Sequence, residues 1–225
     1  MNILQILPKL ETGGVETGVV DFSKELSKRG HKSVVASAGG KLVKEIIQFG
    51  AVHYTLPVDK KNPLVIIGMV NRIRDIIRKE GIDIVHARSR APAYSAFFAA
   101  YLEKRPFITT CHGYYSTHIL SRVMGWGKYV VVASQSMAKH MIDDFGVPIE
   151  RIRLISRGVD LEKLPYKEIT LEPKKEYTVG IIGRITPLKG HTHFIRALSK
   201  VVRVMPHVKA PVSYTHLTLP TKRIV

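Results

Sequence analysis

The chain has 225 residues, 45% hydrophobic and 24% charged, which is typical of a globular protein and excludes both wholesale disorder and a chain dominated by membrane spans. Its formal net charge of +17 favours an anionic partner, such as a phosphorylated substrate, an anionic lipid surface or a nucleic acid. A single cysteine, Cys111, excludes an intramolecular disulfide and makes a reducing cytoplasm the expected compartment.

Short apolar runs alternate with helical periodicity over the first 155 residues. Seven strands are predicted, at Asn2–Leu7, His31–Ser37, Ala51–Leu56, Asp83–Ala87, Pro106–Cys111, Tyr129–Ala133 and Ile152–Ile155. The intervening helices are predicted at Val15–Arg29, Lys41–Phe49, Asn62–Glu80, Pro92–Leu102, from after Gly113 to about Met124, and at Gln135–Phe145. This alternation predicts an α/β fold with a doubly wound parallel sheet.

The alternation of strands and helices is interrupted by an irregular stretch and then starts again, which predicts two domains. We assign an N-terminal domain to residues 1–165, a linker to 166–176 and the start of a second domain of the same type to 177–210. The last stretch, 211–225 (PVSYTHLTLPTKRIV), resembles a translated cloning adapter. We therefore expect a non-native tail there and an incomplete second domain.

The stretch YTVGIIGRITPLKG, at 177–190, predicts an anion-binding loop. A buried strand enters Gly183, and a helix starts after Gly190, so backbone N–H groups and the positive end of the helix dipole face a ligand. Arg184 offers a planar fork to phosphate oxygens and Lys189 a mobile charge. The alternative is that both cations are merely solvated.

The loop after the first strand makes a second candidate anion site. Gly13 and Gly14 lead directly into a helix start, and Glu16 lies favourably in its first turn. The spacing is not G-x-G-x-x-G, which argues against a dinucleotide site. The alternative to an anion site is that the two glycines simply form a tight turn.

Histidine and arginine residues follow two further strands directly. His112 comes after the fifth strand, where an imidazole can hydrogen-bond a sugar hydroxyl or relay a proton. At period two, His86, Arg88 and Arg90 would share one side and form a basic rim near the same cleft. Structural capping and solvated loop charge are the alternatives. Cys111 is interpreted as a small buried residue.

The helix predicted at Asn62–Glu80 carries an apolar stripe with basic residues beside it. The stripe consists of Leu64, Ile67, Val70, Ile73 and Ile77. Such a helix can lie on an anionic membrane, although packing on the sheet is the commoner use. Neither a metal-ligand cluster nor a G-x-S-x-G or Walker A motif occurs, so no metal or cofactor is expected.

Taken in order, six motifs resemble the retaining glycosyltransferases of family 4, which have the GT-B fold of two facing Rossmann-like domains. The motifs are ETGGVE, VHARSR, TCHGYY, VVASQSMAKHM, RIRLISRGVD and GIIGRITPLKGHTHFIRAL. The resemblance covers about residues 1–210. It implies a complete N-terminal Rossmann-like domain followed by the first β-α unit of a second.

The resemblance also implies roles for individual residues. Gly13 and Gly14 would contact the diphosphate of the donor through the backbone, His112 would touch the donor sugar as the catalytic residue, and Arg184 and Lys189 would grip the diphosphate. Glu16, Arg88 and Arg90 are candidate acceptor-side residues. Two features depart from the family: Arg157 replaces a frequent asparagine and receives no role, and the paired glutamates E-x7-E are missing, so this chain is expected to be inactive by itself.

The predicted activity of the parent protein is transfer of a sugar from a nucleotide-diphosphate sugar to a lipid-linked or polysaccharide acceptor, with retention of configuration. This corresponds to a cytoplasmic enzyme of cell envelope polysaccharide synthesis, with peripheral contact at the inner membrane face and no specific nucleic-acid partner. Two alternatives stay open. One is a nucleotide-sugar epimerase of the same fold, and the other is a non-enzymatic polyanion-binding protein.

Overall fold

The computed structural model describes residues 1–60, 62–161, 165–166, 168, 177–183, 185–209 and 212–213. It divides the chain into two compact units, Met1–Leu164 and Pro165–Val225.

A seven-stranded parallel sheet forms the centre of the first unit, with the strand order 3-2-1-4-5-6-7. Its strands are β1 (Asn2–Ile6), β2 (Lys32–Ser37), β3 (Val52–Thr55), β4 (Ile84–Ala87), β5 (Phe107–Cys111), β6 (Tyr129–Val132) and β7 (Ile152–Leu154). The order reverses between β1 and β4, so a crevice opens there at the carboxyl ends of the strands. All seven predicted strands are present, and their ends differ from the predicted positions by at most one residue.

Five helices connect these strands. They are α1 (Gly14–Lys28), α2 (Val43–Gln48), α3 (Pro63–Lys79), α4 (Arg90–Leu102) and α5 (Gln135–Asp143). Two 3-10 turns, Ile119–Gly125 and Ile149–Arg151, complete the connections. The helix predicted from after Gly113 to about Met124 is wrong in its first half, because the 3-10 turn begins only at Ile119.

Both faces of the sheet are covered, as the near-continuous apolar strands require. Neighbouring residues of one strand face opposite layers: Val34 belongs to the cluster that contains Ile73 of α3, and Val35 to the cluster that contains Val19 of α1. Each of these side chains is fully buried. Burying a side chain of this size stabilises the fold by about 1.5–3 kcal/mol.

α3 packs against α4 and the sheet, but only through the second half of the predicted stripe. Ile73 and Ile77 are buried as expected, whereas Leu64 is 79% exposed and Ile67 is 66% exposed. Leu64 lies about 180° around the helix from Ile73, since each residue turns by about 100°. Met69 takes the core position instead. Within the described residues, no helix is long and apolar enough to cross a bilayer.

The second unit contains short parallel strand pairs and one helix. Tyr177–Thr178 (β8) pairs with Val208–Lys209 (β10), and Ile181–Ile182 (β9) pairs with Val212–Ser213 (β11). The helix α6 spans His191–Val204. The single predicted strand is thus divided in two, and strand pairing reaches into the stretch at 211–225 for which the sequence predicts a break.

A turn between β2 and α2 fixes the loop that follows β1. The Leu10 N–H donates to the Gly39 carbonyl (2.8 Å), and the Leu42 N–H donates to the Leu10 carbonyl (2.9 Å). Gly40 lies between them with a φ of 142°, and a Cβ added there would overlap the carbonyl group of Leu10. The loop leading to α1 is therefore held by a position that accepts only glycine without strain.

We expect Gly40→Ala to destabilise the first unit by about 2 kcal/mol or more, because it adds a backbone clash to an unfavourable φ. Urea unfolding followed by circular dichroism measures this loss. Gly39→Ala isolates the effect of φ, since that residue has a φ of 89° but no heavy atom within 4 Å of the added Cβ. Its expected cost is about 1 kcal/mol.

A second control is Gly68→Ala, an open position inside α3, which is expected to stabilise the protein by up to about 1 kcal/mol. Equal stability of the Gly40→Ala and Gly39→Ala proteins would show that the contact with Leu10 does not constrain the turn.

Candidate functional site

A cavity of about 1020 Å³ lies in the first unit at the carboxyl edge of the sheet. One side of α1, from Gly14 to Lys28, forms one wall. The other lining residues come from β4, β5 and β6 and from the segment 155–161 that follows β7. The Ile155 N–H donates to the Val132 carbonyl (2.9 Å), which ties this segment to the sheet edge.

The start of α1 presents backbone groups to the cavity. Gly14 is exposed and lines the cavity, and no side chain among the described residues caps the N–H groups of the first turn. Such groups, with the helix dipole, favour an anion. Gly13 directly precedes the helix, and its carbonyl accepts hydrogen bonds from both the N–H and the hydroxyl of Thr17 (2.9 Å each). The carboxylate of Glu16 turns back toward Gly13 and does not line the cavity.

His112 follows β5 directly and is held by Arg157. The two are joined by a 2.8 Å contact between the His112 Nδ1 and the Arg157 Nη2. A guanidinium group can only donate, so Nδ1 accepts and the proton of the neutral ring lies on Nε2. That Nε2 is buried and has no hydrogen-bond partner among the described residues. His112 lines the cavity, and its Nε2–H is a donor with no partner among the described residues.

The surroundings keep His112 neutral. Burial, followed by the positive charges of Arg88 and Arg157, lowers the pKa of His112 from 6.5 to about 3. A group with such a pKa takes up a proton poorly at neutral pH. The geometry therefore makes His112 a hydrogen-bond donor rather than a general base.

Arg88 and His86 lie at the end of β4, beside His112. The Arg88 N–H donates to the Ile6 carbonyl (2.9 Å), which places the residue at the switch point of the sheet. The His86 Nε2 lies 2.7 Å from the Thr110 hydroxyl. Burial lowers the pKa of His86 well below its usual value, with Arg88 and His112 adding to the effect. Burial, and then Arg157, lowers the pKa of Arg88 to about 10.

Arg90 points elsewhere, so the expected period-two rim of His86, Arg88 and Arg90 is wrong. β4 ends at Ala87 and Arg90 is already the first residue of α4, where the alternation of a strand no longer applies. Its guanidinium donates to the Ser121 hydroxyl (3.1 Å) and stacks on the ring of Tyr115 at 4.8 Å. Arg90 thus supports the loop after β5 from outside the cavity.

Arg157 is the cavity residue that sequence reasoning missed. It bridges two parts of the site, because its Nη1 also donates to the Gly14 carbonyl (3.3 Å). Gly14 permits this approach, since a Cβ there would lie 2.8 Å from the Arg157 Nη1. The sequence feature that could have indicated Arg157 is its position two residues after Ile155, close to the carboxyl edge of the sheet, where ligands bind in such folds.

Cys111 is buried, as expected, and its thiol donates to the Met141 sulfur (3.5 Å). Burial raises the pKa of the thiol to about 12, so it stays protonated and unreactive.

The second unit holds the other predicted anion loop. The exposed Lys189 lies beside Gly183, where an added Cβ would be 3.7 Å from the Lys189 Cγ. Gly190 adopts a left-handed conformation with a φ of 71°, and α6 starts at the next residue. Arg184 lies outside the described residues.

The two buried histidines predict a pH dependence of stability. Their pKa values are lowered in the folded protein, so the unfolded chain binds more protons once the pH falls below about 6.5. We expect stability to decrease below that pH, by at most about 1.4 kcal/mol per pH unit for each histidine. The contribution of His112 is fully lost only near its folded pKa of about 3.

Urea unfolding between about pH 7 and about pH 5 tests this dependence above the usual range of most carboxylates. His112→Gln is expected to flatten the decrease, whereas His193→Gln, on the exposed side of α6, leaves it in place. An identical decrease in the His112→Gln and wild-type proteins would refute the assignment.

Known proteins share this architecture. A glycosyltransferase from Rickettsia africae matches with a TM-score of 0.75 and 28% identity over 94% of this chain and 68% of that one. An Anabaena protein solved with UDP and glucose matches with a TM-score of 0.69 and 18% identity, over 94% of this chain and 60% of that one. Nucleotide-sugar epimerases also have this fold. The α/β fold class expected from the sequence, of the GT-B type, is thereby confirmed.

A relative of known name is D-inositol 3-phosphate glycosyltransferase from Segniliparus rotundus, 30% identical over 103 residues. That match covers 40% of this chain and 23% of the relative, so it spans only a part of that protein. The model of Glycosyltransferase Family 4 matches residues 12–163, which is more than half of the 225 residues. This chain therefore belongs to Glycosyltransferase Family 4.

Proposed function

We propose that the protein transfers a sugar from a nucleotide-diphosphate sugar to an acceptor hydroxyl, with retention of configuration. The observation that carries this proposal is a group of hydrogen-bond donors and cations in the lining of the cavity. Gly14 at the start of α1, His112 and Arg157 all line it, and Arg157 contacts both of the others. A ligand that accepts many hydrogen bonds and carries negative charge, as a sugar diphosphate does, matches such a lining.

The residues predicted from the sequence are proposed as contacts of the diphosphate. Gly13 and Gly14 would meet it through the backbone, and Arg184 and Lys189 would neutralise its charge. The Anabaena protein of the same fold was solved with UDP and glucose, which supports a uridine nucleotide as the first donor to test.

In the proposed reaction, the bond between the sugar carbon and the diphosphate oxygen breaks, and a bond to the acceptor oxygen forms on the same face. His112 donates a hydrogen bond from Nε2 to an oxygen of the donor sugar and holds it in place. Because its pKa is about 3, it does not take the proton of the acceptor hydroxyl, which passes to the departing diphosphate oxygen on the same face of the sugar. The cations stabilise the negative charge that develops on the leaving diphosphate.

The acceptor is proposed to be a lipid-linked or polysaccharide substrate of the cell envelope, met by a cytoplasmic enzyme at the inner face of the membrane. The net charge of +17 supports attraction to anionic acceptors and surfaces. The Segniliparus relative is named for an acceptor that bears a phosphate, which agrees with a cationic cavity.

Product analysis tests the proposal. This chain and the longest reading frame that contains it are incubated with UDP-sugars, with and without a panel of acceptors. Transfer requires an acceptor and releases UDP, whereas an epimerase changes the sugar without an acceptor. Steeply salt-dependent binding to any polyphosphate, with no preference for a nucleotide sugar, would instead identify a polyanion-binding protein.

His112→Ala is expected to lower the rate of transfer by roughly 100-fold, because a positioned donor to the reacting sugar is lost. The matched control is His118→Ala, in the same loop but outside the cavity, where the side chain only caps the Leu120 N–H. Initial rates at saturating donor measure the effect. A His112→Ala enzyme with the wild-type rate would remove His112 from the reaction.

Lys189→Ala is expected to weaken the binding of UDP by roughly 10-fold, through the loss of one charge-assisted contact to the diphosphate. Lys200→Ala, an exposed lysine of α6, controls for the general loss of positive charge. Isothermal titration with UDP measures both variants, and equal affinities would contradict a diphosphate contact at Lys189.

A further inference from the structure

The cavity contains a cationic side chain, Arg88, that has no part in the proposed binding of the nucleotide-sugar donor. Arg88 lines the cavity, and its Nε is buried without a hydrogen-bond partner among the described residues. Nor does Arg88 form an ion pair with any carboxylate in the described part of the chain. A buried guanidinium without a counterion is costly, and the described part of the chain offers it no ion pair.

The surroundings of Arg88 increase this cost. A second cation, Arg157, lowers the pKa of Arg88 beyond the effect of burial. Three carboxylates do line the cavity, Asp21, Glu25 and Asp160. Glu25 pairs with Arg29, Asp160 pairs with Lys24 at 3.1 Å, and Asp21 has interactions of its own. An anion from outside the chain is the group that would balance Arg88 and Arg157.

His86 gives an independent indication of a ligand at the same place. Its side chain is 4% exposed and lines the cavity, yet its Nδ1 has no hydrogen-bond partner among the described residues. Because the ring interacts electrostatically with both Arg88 and His112, the three groups form one cluster. Polar atoms buried in this way are normally satisfied by a partner.

Gly18 leaves room for Arg88 to reach this place. A Cβ at Gly18 would lie 3.2 Å from the Arg88 Nη2, which is tighter than an ordinary contact. Gly18 lies inside α1, where glycine is less favourable than alanine. Because Gly18 has no side chain, the guanidinium group of Arg88 has room to lie against α1 at the wall of the cavity.

We propose that Arg88, together with His86 and the more exposed Arg157, forms an oxyanion subsite that binds a phosphate or carboxylate group of the acceptor. The subsite itself stands on the first unit alone, whereas its assignment to the acceptor rests on the proposed function. The ligand group must be an acceptor of hydrogen bonds and negatively charged, because guanidinium groups provide only donors and positive charge. A neutral sugar hydroxyl would leave the two cations uncompensated.

The test uses inorganic phosphate as the probe at constant ionic strength, with the 15N signals of the His86 and His112 rings as local reporters. Phosphate is expected to shift both signals in the wild-type chain. Arg88→Gln is expected to weaken phosphate binding by roughly 10-fold or more, because a charge-assisted contact is lost. Arg72→Gln removes the same charge from the exposed face of α3 and is expected to bind phosphate like the wild type.

The melting temperature separates a binding arginine from a structural one. Arg88→Gln is expected to melt at or above the wild-type temperature, since it removes an uncompensated charge. Gly18→Ala is expected to keep or raise the melting temperature and to weaken phosphate binding by displacing the guanidinium. Undiminished phosphate binding by Arg88→Gln, or a weakening of the same size in Arg72→Gln, would overturn the subsite.

Addition of UDP distinguishes an anion of the acceptor from the diphosphate of the donor. If phosphate still shifts the His86 signal in the presence of saturating UDP, two separate anions are bound and the acceptor assignment stands. Displacement of phosphate by UDP would assign the subsite to the donor and overturn the acceptor assignment. Failure of UDP to bind at all would count against the proposed transferase, while the Arg88 result would still decide the subsite.

Discussion

Two guanidinium groups, those of Arg88 and Arg157, share one cavity without an ion pair to any described carboxylate, and the chemistry of the site depends on this imbalance. Their charges, added to burial, keep His112 neutral, and the contact from Arg157 places its proton on Nε2. The result is a lining that offers donors and positive charge. Such a lining selects anionic, oxygen-rich ligands before any detail of shape is considered.

The fold brings these residues together through the geometry of a parallel sheet. Arg88 follows β4, His112 follows β5 and Arg157 lies shortly after β7, so all three leave the same carboxyl edge although they are far apart in sequence. α1 starts at the same edge and adds the backbone groups of Gly14. A change in the order of the strands would separate the cluster without altering any of its residues.

The sequence predicted most of the fold because the alternation of apolar strands and periodic helices is strong through the first unit. It also located Arg88 and His112, since both come immediately after buried strands. It did not predict the role of Arg157, because this residue lies in a polar, charged stretch that resembles a solvated loop. Only the contact of Arg157 with His112, which the structure shows, distinguishes it from a solvated surface residue. The loop after His112 is not helical at first, because the His140 Nε2 lies 3.0 Å from the Tyr115 carbonyl and binds the backbone there.

The turn at Gly40 has a consequence for how mutations in this protein would be interpreted. Gly40 does not line the cavity, yet a side chain added there would overlap the carbonyl group of Leu10, three residues before Gly13. In a mutational scan scored only by activity, substitutions at Gly40 would resemble those at a ligand contact. Cellular abundance measured in parallel would separate the two classes. Substitution of Arg88, the proposed ligand contact, is expected to reduce binding but not the amount of folded protein, whereas substitution of Gly40 is expected to reduce both.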